Sequence, residues 1–180
     1  MTDLVDQFAD DVDVVVDVIV EIPKGSRNKY EYDAEVGRIR LDRLLFTAMS
    51  YPADYGFVPD TLAEDGDPLD ALVLVGDPTF PGCLIKARPI AVFWMRDEQG
   101  PDAKLLCVPS GDARHRDLHD LTDVAPHVVN EISHFFEVYK QIEPGKSSET
   151  RGWQDRAAAL SVLGDARRRV AAVRPAAPAP

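Results

Sequence analysis

Glu64-Asp65-Gly66-Asp67-Pro68-Leu69-Asp70-Ala71-Leu72-Val73-Leu74-Val75 runs from an acidic turn straight into a short apolar strand. Four carboxylates fall in its first seven residues, with one Gly and one Pro between them. Unit charges a few ångströms apart repel by roughly 1–4 kcal/mol per pair at effective dielectrics of 80 to 20. Gly66 and Pro68 favour a tight turn, so the acids cannot spread out as on a long flexible loop. A turn that concentrates negative charge invites a hard divalent cation, for which Asp oxygens are preferred ligands. A solvated acidic turn is the commoner fate of so short a run, and the rest of the chain has to decide between the two.

Upstream, residues 1–12 read as a mobile acidic leader. From Val12 to Ile22 the chain is rich in β-branched residues and predicts a strand ended by Pro23. Lys24 to Asn28 is a turn. In Lys29-Tyr30-Glu31-Tyr32, Lys29 and Glu31 share one face. After a turn at Gly37, Arg38 to Arg43 alternates again and puts Arg43 beside Ile39 and Leu41. An arginine on an apolar strand face calls for a partner or a ligand. Tyr51 to Phe57 is an irregular aromatic segment leading into the acidic turn.

Downstream, Leu84 to Met95 predicts a strand broken at Pro89. Asp97 to Asp102 predicts a hairpin connection, with Ala103 to Val108 as the return strand. Residues 109–124 are polar and loop-like, with room for one helical turn. Val128, Val129, Ile132, Phe135, Phe136 and Tyr139 fall on one face of a helix over Pro126 to Tyr139, with Pro126 in its first turn. Pro144-Gly145 separates it from a second helix over residues 153–170. Residues 173–180 read as a flexible Pro/Ala tail. The prediction is one domain over residues 13–172, of α+β class, with a compact antiparallel sheet or barrel.

At 180 residues the chain suffices for one domain with a sizeable core, and 45% hydrophobic content is ordinary for a globular protein. A net charge of −11 argues against nucleic acid or an anionic membrane as partner. It also means that an anionic substrate must be drawn in by local bases or bound cations. Cys83 and Cys107 are too few for a disulfide framework and read as buried free thiols. The N-terminus lacks the pattern of a signal peptide, and no run is long enough to span a membrane. A cytoplasmic location is expected.

Asp97 and Asp102 flank the hairpin connection, and their carboxylates are expected near each other across its mouth, with Lys104 on the face of Asp102. Alone, this is a solvent-exposed turn. Together with Asp65, Asp67 and Asp70, five aspartates in two turns can supply two or more metal sites. Lys29, Arg43, Lys104 and Lys140 are each, taken singly, ordinary surface charges. Tyr51, Tyr55 and Tyr139 are each ordinary core or rim aromatics. Hard-metal ligands combined with Lys, Arg and Tyr donors make the inventory of a phosphate site.

Other constellations are weaker. His115 and His119 have a helical zinc spacing but sit among charged loop residues. His127 and His134 are expected to bond locally. No Ser-His-Asp set is legible. Pro23-Lys24-Gly25-Ser26 lacks the phosphate-loop pattern, and the acidic turn does not match an EF-hand, which counting from Asp65 would put Leu69 and Asp70 at positions five and six.

With these residues in hand, the chain resembles the family I soluble inorganic pyrophosphatases of bacterial type. Asp65-Gly66-Asp67-Pro68-Leu69-Asp70 fits that family's D-x-D-P-x-D pattern. The resemblance continues through Glu21-Ile22-Pro23, Lys29-Tyr30-Glu31, Asp42-Arg43, Tyr51-Pro52 with Tyr55-Gly56, Asp97 to Lys104, and His134-Phe135-Phe136 through Tyr139-Lys140. It implies a five-stranded OB-like β-barrel flanked by two main C-terminal helices. It also implies Mg²⁺-dependent hydrolysis of pyrophosphate, with several ions per site. By position, Asp65, Asp70 and Asp102 resemble ligands of the tightest metal, and Asp97 and Asp102 ligands of metals arriving with substrate. Glu31 is similar to a residue assisting through water, and Asp67 to the general base. Lys29, Arg43, Tyr55, Lys104, Tyr139 and Lys140 match the phosphate-binding groups.

The chemistry implied is a water made acidic by two Mg²⁺ ions, oriented and deprotonated by Asp67. The substrate would enter as a magnesium complex, which reconciles it with the acidic chain. A homohexamer is the family's implied assembly. The chain departs from the pattern at Ser147-Ser148-Glu149-Thr150, where relatives usually carry an aromatic and a lysine. The rivals are a non-catalytic metal- or phosphate-binding module, a nucleic-acid-binding OB domain and a phosphohydrolase acting on nucleotides or polyphosphate.

Overall fold

The structure is a computed structural model and describes residues 14–173. The leader expected over residues 1–12 and the tail beyond residue 173 lie outside the described residues. Val173, assigned to the tail from sequence, ends the last helix.

Eight strands and two α-helices are described. Strand β1 is Val16–Ile22, β4 Asp54–Phe57, β5 Asp70–Val73, β6 Leu84–Asp97 and β7 Gly100–Pro109. β1 pairs antiparallel with β4 and, on its other edge, with β6. β4 runs antiparallel to β5, β5 parallel to β7, and β7 antiparallel to β6. These five strands therefore return on themselves as a ring, and closure removes the open sheet edges. Gly56 on β4 lies so close to β1 that a Cβ added there would sit 1.9 Å from the Ile19 carbonyl oxygen.

Strands β2 (Asn28–Asp33) and β3 (Arg38–Leu44) form a separate two-stranded ribbon. The sequence expectation of an apolar β3 face does not hold, because Leu41 is 59% exposed. The ribbon's packed side chains are instead on β2, where Tyr30 lies against the core and Tyr32 against Phe57.

β1 shows how burial follows alternation: Val16, Val18, Val20 and Ile22 are buried while Asp17 is exposed. It begins at Val16, later than the predicted Val12. β6 was expected to break at Pro89 but continues through a bulge between Pro89 and Ala91. Proline lacks a ladder donor, and a bulge absorbs that defect without ending the strand. β6 is thereby long enough to pair with β1 at one end and with an extra strand, β8 (Ser148–Gln154), at the other.

β8 was not predicted, since the expected second helix started at 153; helix α2 is Arg156–Val173. Ser148 to Gln154 has no apolar alternation, and only Trp153 packs inward, 4.8 Å from the Phe93 ring. Its strand character comes from backbone pairing to β6. Helix α1, Pro126–Val138, agrees with the expectation. The 109–124 loop contains two short 3₁₀ turns instead of one helical turn. Cys107 is buried as expected, whereas Cys83 is only partly buried.

The two sheet faces feed two clusters. Ala71, Val73, Leu105 and Cys107 meet Leu160 and Leu163 of α2. Leu72, Leu106, Phe93 and Met95 meet Ile132, Phe135 and Phe136 of α1. Among the described residues no helix is long and apolar enough to cross a membrane.

Candidate active site

The face packed under α1 carries charge at its strand ends. Asp70 pairs with Lys104 in register, and Lys104 with Phe93. Two-residue steps from Leu72, Leu106 and Met95 lead to Asp70, Lys104 and Asp97 on the same face. Asp102 lies opposite Met95, and Asp97 opposite Gly100. Asp97 and Asp102 are thus diagonal neighbours on one face and not the directly opposed pair expected across the hairpin mouth.

Lys104 is the hub. Its side chain is 2% exposed, and its Nζ donates to Asp70 Oδ2 at 2.6 Å and to the two Asp102 oxygens at 2.9 and 2.8 Å. It also donates to the Tyr55 hydroxyl at 3.0 Å, and that hydroxyl donates on to Asp70. Burial by itself would drive a lysine pKa down, but Asp102 and Asp70 outweigh it and hold the ammonium above its usual range. One ammonium does not satisfy the neighbouring acids. Burial first, then the nearby charge of Asp70 and Asp65, raises Asp102 to about 6 against the pull of Lys104. Asp65 is raised by burial, with Asp70 and Asp67 adding to it.

The acidic turn is held from beneath. Gly66 takes φ +95°, and Asp65 Oδ1 accepts from the Asp67 backbone N–H at 3.1 Å. The buried Thr61 hydroxyl donates to the Val58 carbonyl at 2.5 Å and accepts from the Leu69 N–H at 2.9 Å. Arg169 of α2 reaches the Leu62 carbonyl at 3.3 Å and Glu64 at 3.2 Å. Asp67 is exposed, on the outer side of the turn.

A second group lies where α1 ends. Lys140 is buried and donates to Asp97 Oδ2 at 3.0 Å, with Glu98 at 3.5 Å. Burial works against its charge, but Tyr139, Asp97 and Glu98 raise its pKa on balance. Tyr139 is buried against Phe135, with ring centroids 5.2 Å apart, and burial raises its pKa. Glu98 also pairs with Lys146 at 2.9 Å. Burial pushes Glu98 up, yet Lys146, backbone N–H groups and Lys140 bring it down to about 2.

The third group sits on the ribbon. Lys29 contacts Glu31 and lies 3.4 Å from Asp42. Arg43 contacts Asp42 through Nη1 and Glu143 Oε2 through Nη2, the latter at 2.7 Å. Asp42 sits below its usual range because Lys29 and Arg43 overcome the upward push of burial. Tyr51 joins the three groups: it is buried within electrostatic reach of Tyr139, Lys104, Asp70 and Arg43, and burial lifts its pKa well above the ordinary value.

Glu21, Asp42, Glu98 and Glu143 were not assigned roles from sequence. Glu21 accepts from the Tyr32 N–H at 2.6 Å, and burial raises it to about 7, with Asp70 contributing. An acid between the buried Val20 and Ile22 was the available signal. His115 pairs with Asp112 at 3.0 Å and His119 lies 3.4 Å from Arg88, both in the polar loop; His127 and His134 are exposed.

Asp65, Asp70 and Asp102 offer only hard oxygen donors, and burial first, then the neighbouring carboxylates, raises the pKa of Asp65 and Asp102. That chemistry fits a hard divalent cation. In the described residues no three such side chains converge on one point, and the Lys104 ammonium stands between Asp70 and Asp102.

Comparison with known proteins gives a consistent result. The family model described as inorganic pyrophosphatase matches residues 18–171. An inorganic pyrophosphatase from Streptomyces coelicolor is 64% identical over 140 residues, covering 78% of this chain and 86% of that protein. One from Methanosarcina acetivorans is 54% identical over 155 residues, covering 86% and 92%. The crystal structure of inorganic pyrophosphatase from Thermus thermophilus superimposes with a TM-score of 0.87 at 46% identity, covering 91% of this chain and 95% of that one.

Proposed function

The chain belongs to the inorganic pyrophosphatase family, and we propose on that premise that it hydrolyses inorganic pyrophosphate to two phosphates, with Mg²⁺ as cofactor and Asp67 as general base. The observation that carries the reading is the buried cluster in which Lys104 touches Asp70, Asp102 and Tyr55 at once. Burying so many ionisable groups is costly, and a cluster still short of positive charge is poised for a cation–anion pair such as a metal–phosphate complex.

Asp65, Asp70, Asp97, Asp102 and Glu31 would hold Mg²⁺. When bound, it makes a water acidic enough to attack near neutrality and neutralises phosphoryl oxygens. Asp67, exposed on the turn, orients the attacking water and takes its proton. Arg43, Lys140 and Tyr139 hold the attacked phosphoryl group. Arg43 Nε is buried with no acceptor. Lys29 and Lys104 stabilise charge on the departing phosphate, and Tyr55, whose hydroxyl meets Lys104 and Asp70, is a further phosphate-binding group. Pyrophosphate enters as its magnesium complex, which suits a chain of net charge −11. The place of action is the cytoplasm, and the assembly a homohexamer.

Phosphate release from pyrophosphate and from ATP, each with Mg²⁺ and with EDTA, tests the reading. Rapid Mg²⁺-dependent turnover of pyrophosphate and far slower use of ATP are expected. Well-folded protein without Mg²⁺-dependent turnover would refute it, and comparable rates on ATP would recast it as a broader phosphohydrolase.

A further inference from the structure

The proposed phosphate-binding cations reach the site from different pieces of the fold. Lys104 is on β7 and Lys140 follows α1, both anchored in the packed body. Arg43 is on the β2–β3 ribbon, which shares no ladder with the barrel. Two strands alone are marginal in water, so the aim of an arginine on such a ribbon depends on cross-links to the body. At the far end of the ribbon the Glu21 carboxylate receives the Tyr32 N–H, and Tyr32 packs on Phe57 with ring centroids 5.6 Å apart. The ion pairs Lys29–Glu31, Lys29–Asp42, Arg40–Asp33 and Arg43–Asp42 all stay within the ribbon.

Arg43–Glu143 does not. Glu143 lies three residues after Lys140, and its backbone N–H donates to the Lys140 carbonyl at 3.0 Å. Its side chain is 5% exposed and takes Arg43 Nη2 at 2.7 Å. The turn that positions Lys140 therefore also grips Arg43. The grip uses one oxygen only: Glu143 Oε1 and Arg43 Nε are both buried without partners. The guanidinium is thus fixed through its two terminal nitrogens, Nη1 on Asp42 and Nη2 on Glu143.

We propose that Glu143 is a positioning residue for Arg43, setting the guanidinium against the Tyr139–Lys140 turn so that both cations meet the same phosphoryl group. The inference rests on the pyrophosphatase reading given above. Glu143 acts through Arg43 and does not touch the substrate. It also distinguishes Glu143 from a mere counter-ion that the phosphate displaces, because a counter-ion weakens phosphate binding and a positioner strengthens it.

A double-mutant cycle decides the matter, using steady-state pyrophosphate hydrolysis in excess Mg²⁺ and calorimetric binding of inorganic phosphate. Glu143→Ala in the Arg43 background is expected to lower kcat/KM by about tenfold, the scale of one misaligned contact, and to weaken phosphate binding. Glu143→Gln, which retains an acceptor for Nη2, should recover most of that loss. In the Arg43→Ala background, where no donor is left for the Glu143 carboxylate, Glu143→Ala should change kcat/KM by less than about twofold. Equal losses in both backgrounds, or tighter phosphate binding by Glu143→Ala, would overturn the positioning role. Near-ultraviolet circular dichroism of each variant separates misfolding from misalignment; a loss of kcat/KM matched by lost folded fraction at unchanged KM also overturns it. The parent protein is run alongside: no Mg²⁺-dependent turnover there refutes the pyrophosphatase reading itself, whereas normal turnover with additive variants refutes only the role of Glu143.

Discussion

Three aspartates share one short turn, yet their surroundings divide them. Asp70 is bonded to Lys104 and Tyr55, Asp65 is partly buried and raised, and Asp67 faces solvent. A base must be free to accept a proton, so the exposed acid is the one suited to that task. Asp67→Asn is expected to cut turnover by roughly 10²–10³-fold while leaving calorimetric Mg²⁺ binding largely intact; unchanged turnover would remove Asp67 from the role. Glu21 gives a pH prediction. Burial raises it from 4.5 to about 7 in the folded protein. Between those values the folded state binds more protons than the unfolded one, so this group's contribution is full below about 4.5 and lost as pH rises through 7. In EDTA, Glu21→Gln should therefore gain stability relative to the parent across that window, on the order of 1–3 kcal/mol by urea unfolding. A difference that stays flat with pH would show that Glu21 does not titrate there. Glu64, the first acid of the same stretch, takes Arg169 from the last helix.

At the scale of elements, barrel closure depends on β1 meeting both β4 and β6, and the tightest place in that arrangement is Gly56. A methyl group there would lie 1.9 Å from the Ile19 carbonyl oxygen and 2.8 Å from the Val20 Cα. These are backbone atoms that cannot swing away. Gly56→Ala should cost about 3 kcal/mol and lower Tm by roughly 10 °C, read by calorimetry; a Tm within 2 °C or so of the parent would mean that the β1–β4 seam opens at little cost. The ribbon and β8 mark where strand reading from sequence reaches its limit. Leu41 of β3 is exposed, so its alternation does not mark a buried face, and β8 has no apolar alternation although Trp153 packs on Phe93. Alternation located β1 and β3 but misjudged which side of β3 is covered, and it missed β8, which has none.

For the whole molecule, Leu41, Phe46, Phe80, Leu84 and Ile142 remain exposed and give an assembly apolar area to cover. Light scattering at micromolar concentration is expected to report six chains; a strict monomer would refute the hexamer. The fold class, the hairpin at Asp97 to Asp102 and the first helix were legible in the sequence. They depend on local periodicity, turn chemistry and an ordered series of short motifs. Which charge meets which was not legible. Lys104 with Asp70, Lys140 with Asp97 and Arg43 with Glu143 join residues far apart in the chain. The same holds for the elevated Asp102 and Glu21, whose shifts come first from burial. The sequence by itself determined an acidic turn running into a short apolar strand of a small α+β domain. Only the tertiary structure decided the pairing of its charges, because strand register and burial, which no local window contains, set both the distances and the dielectric in which those charges act.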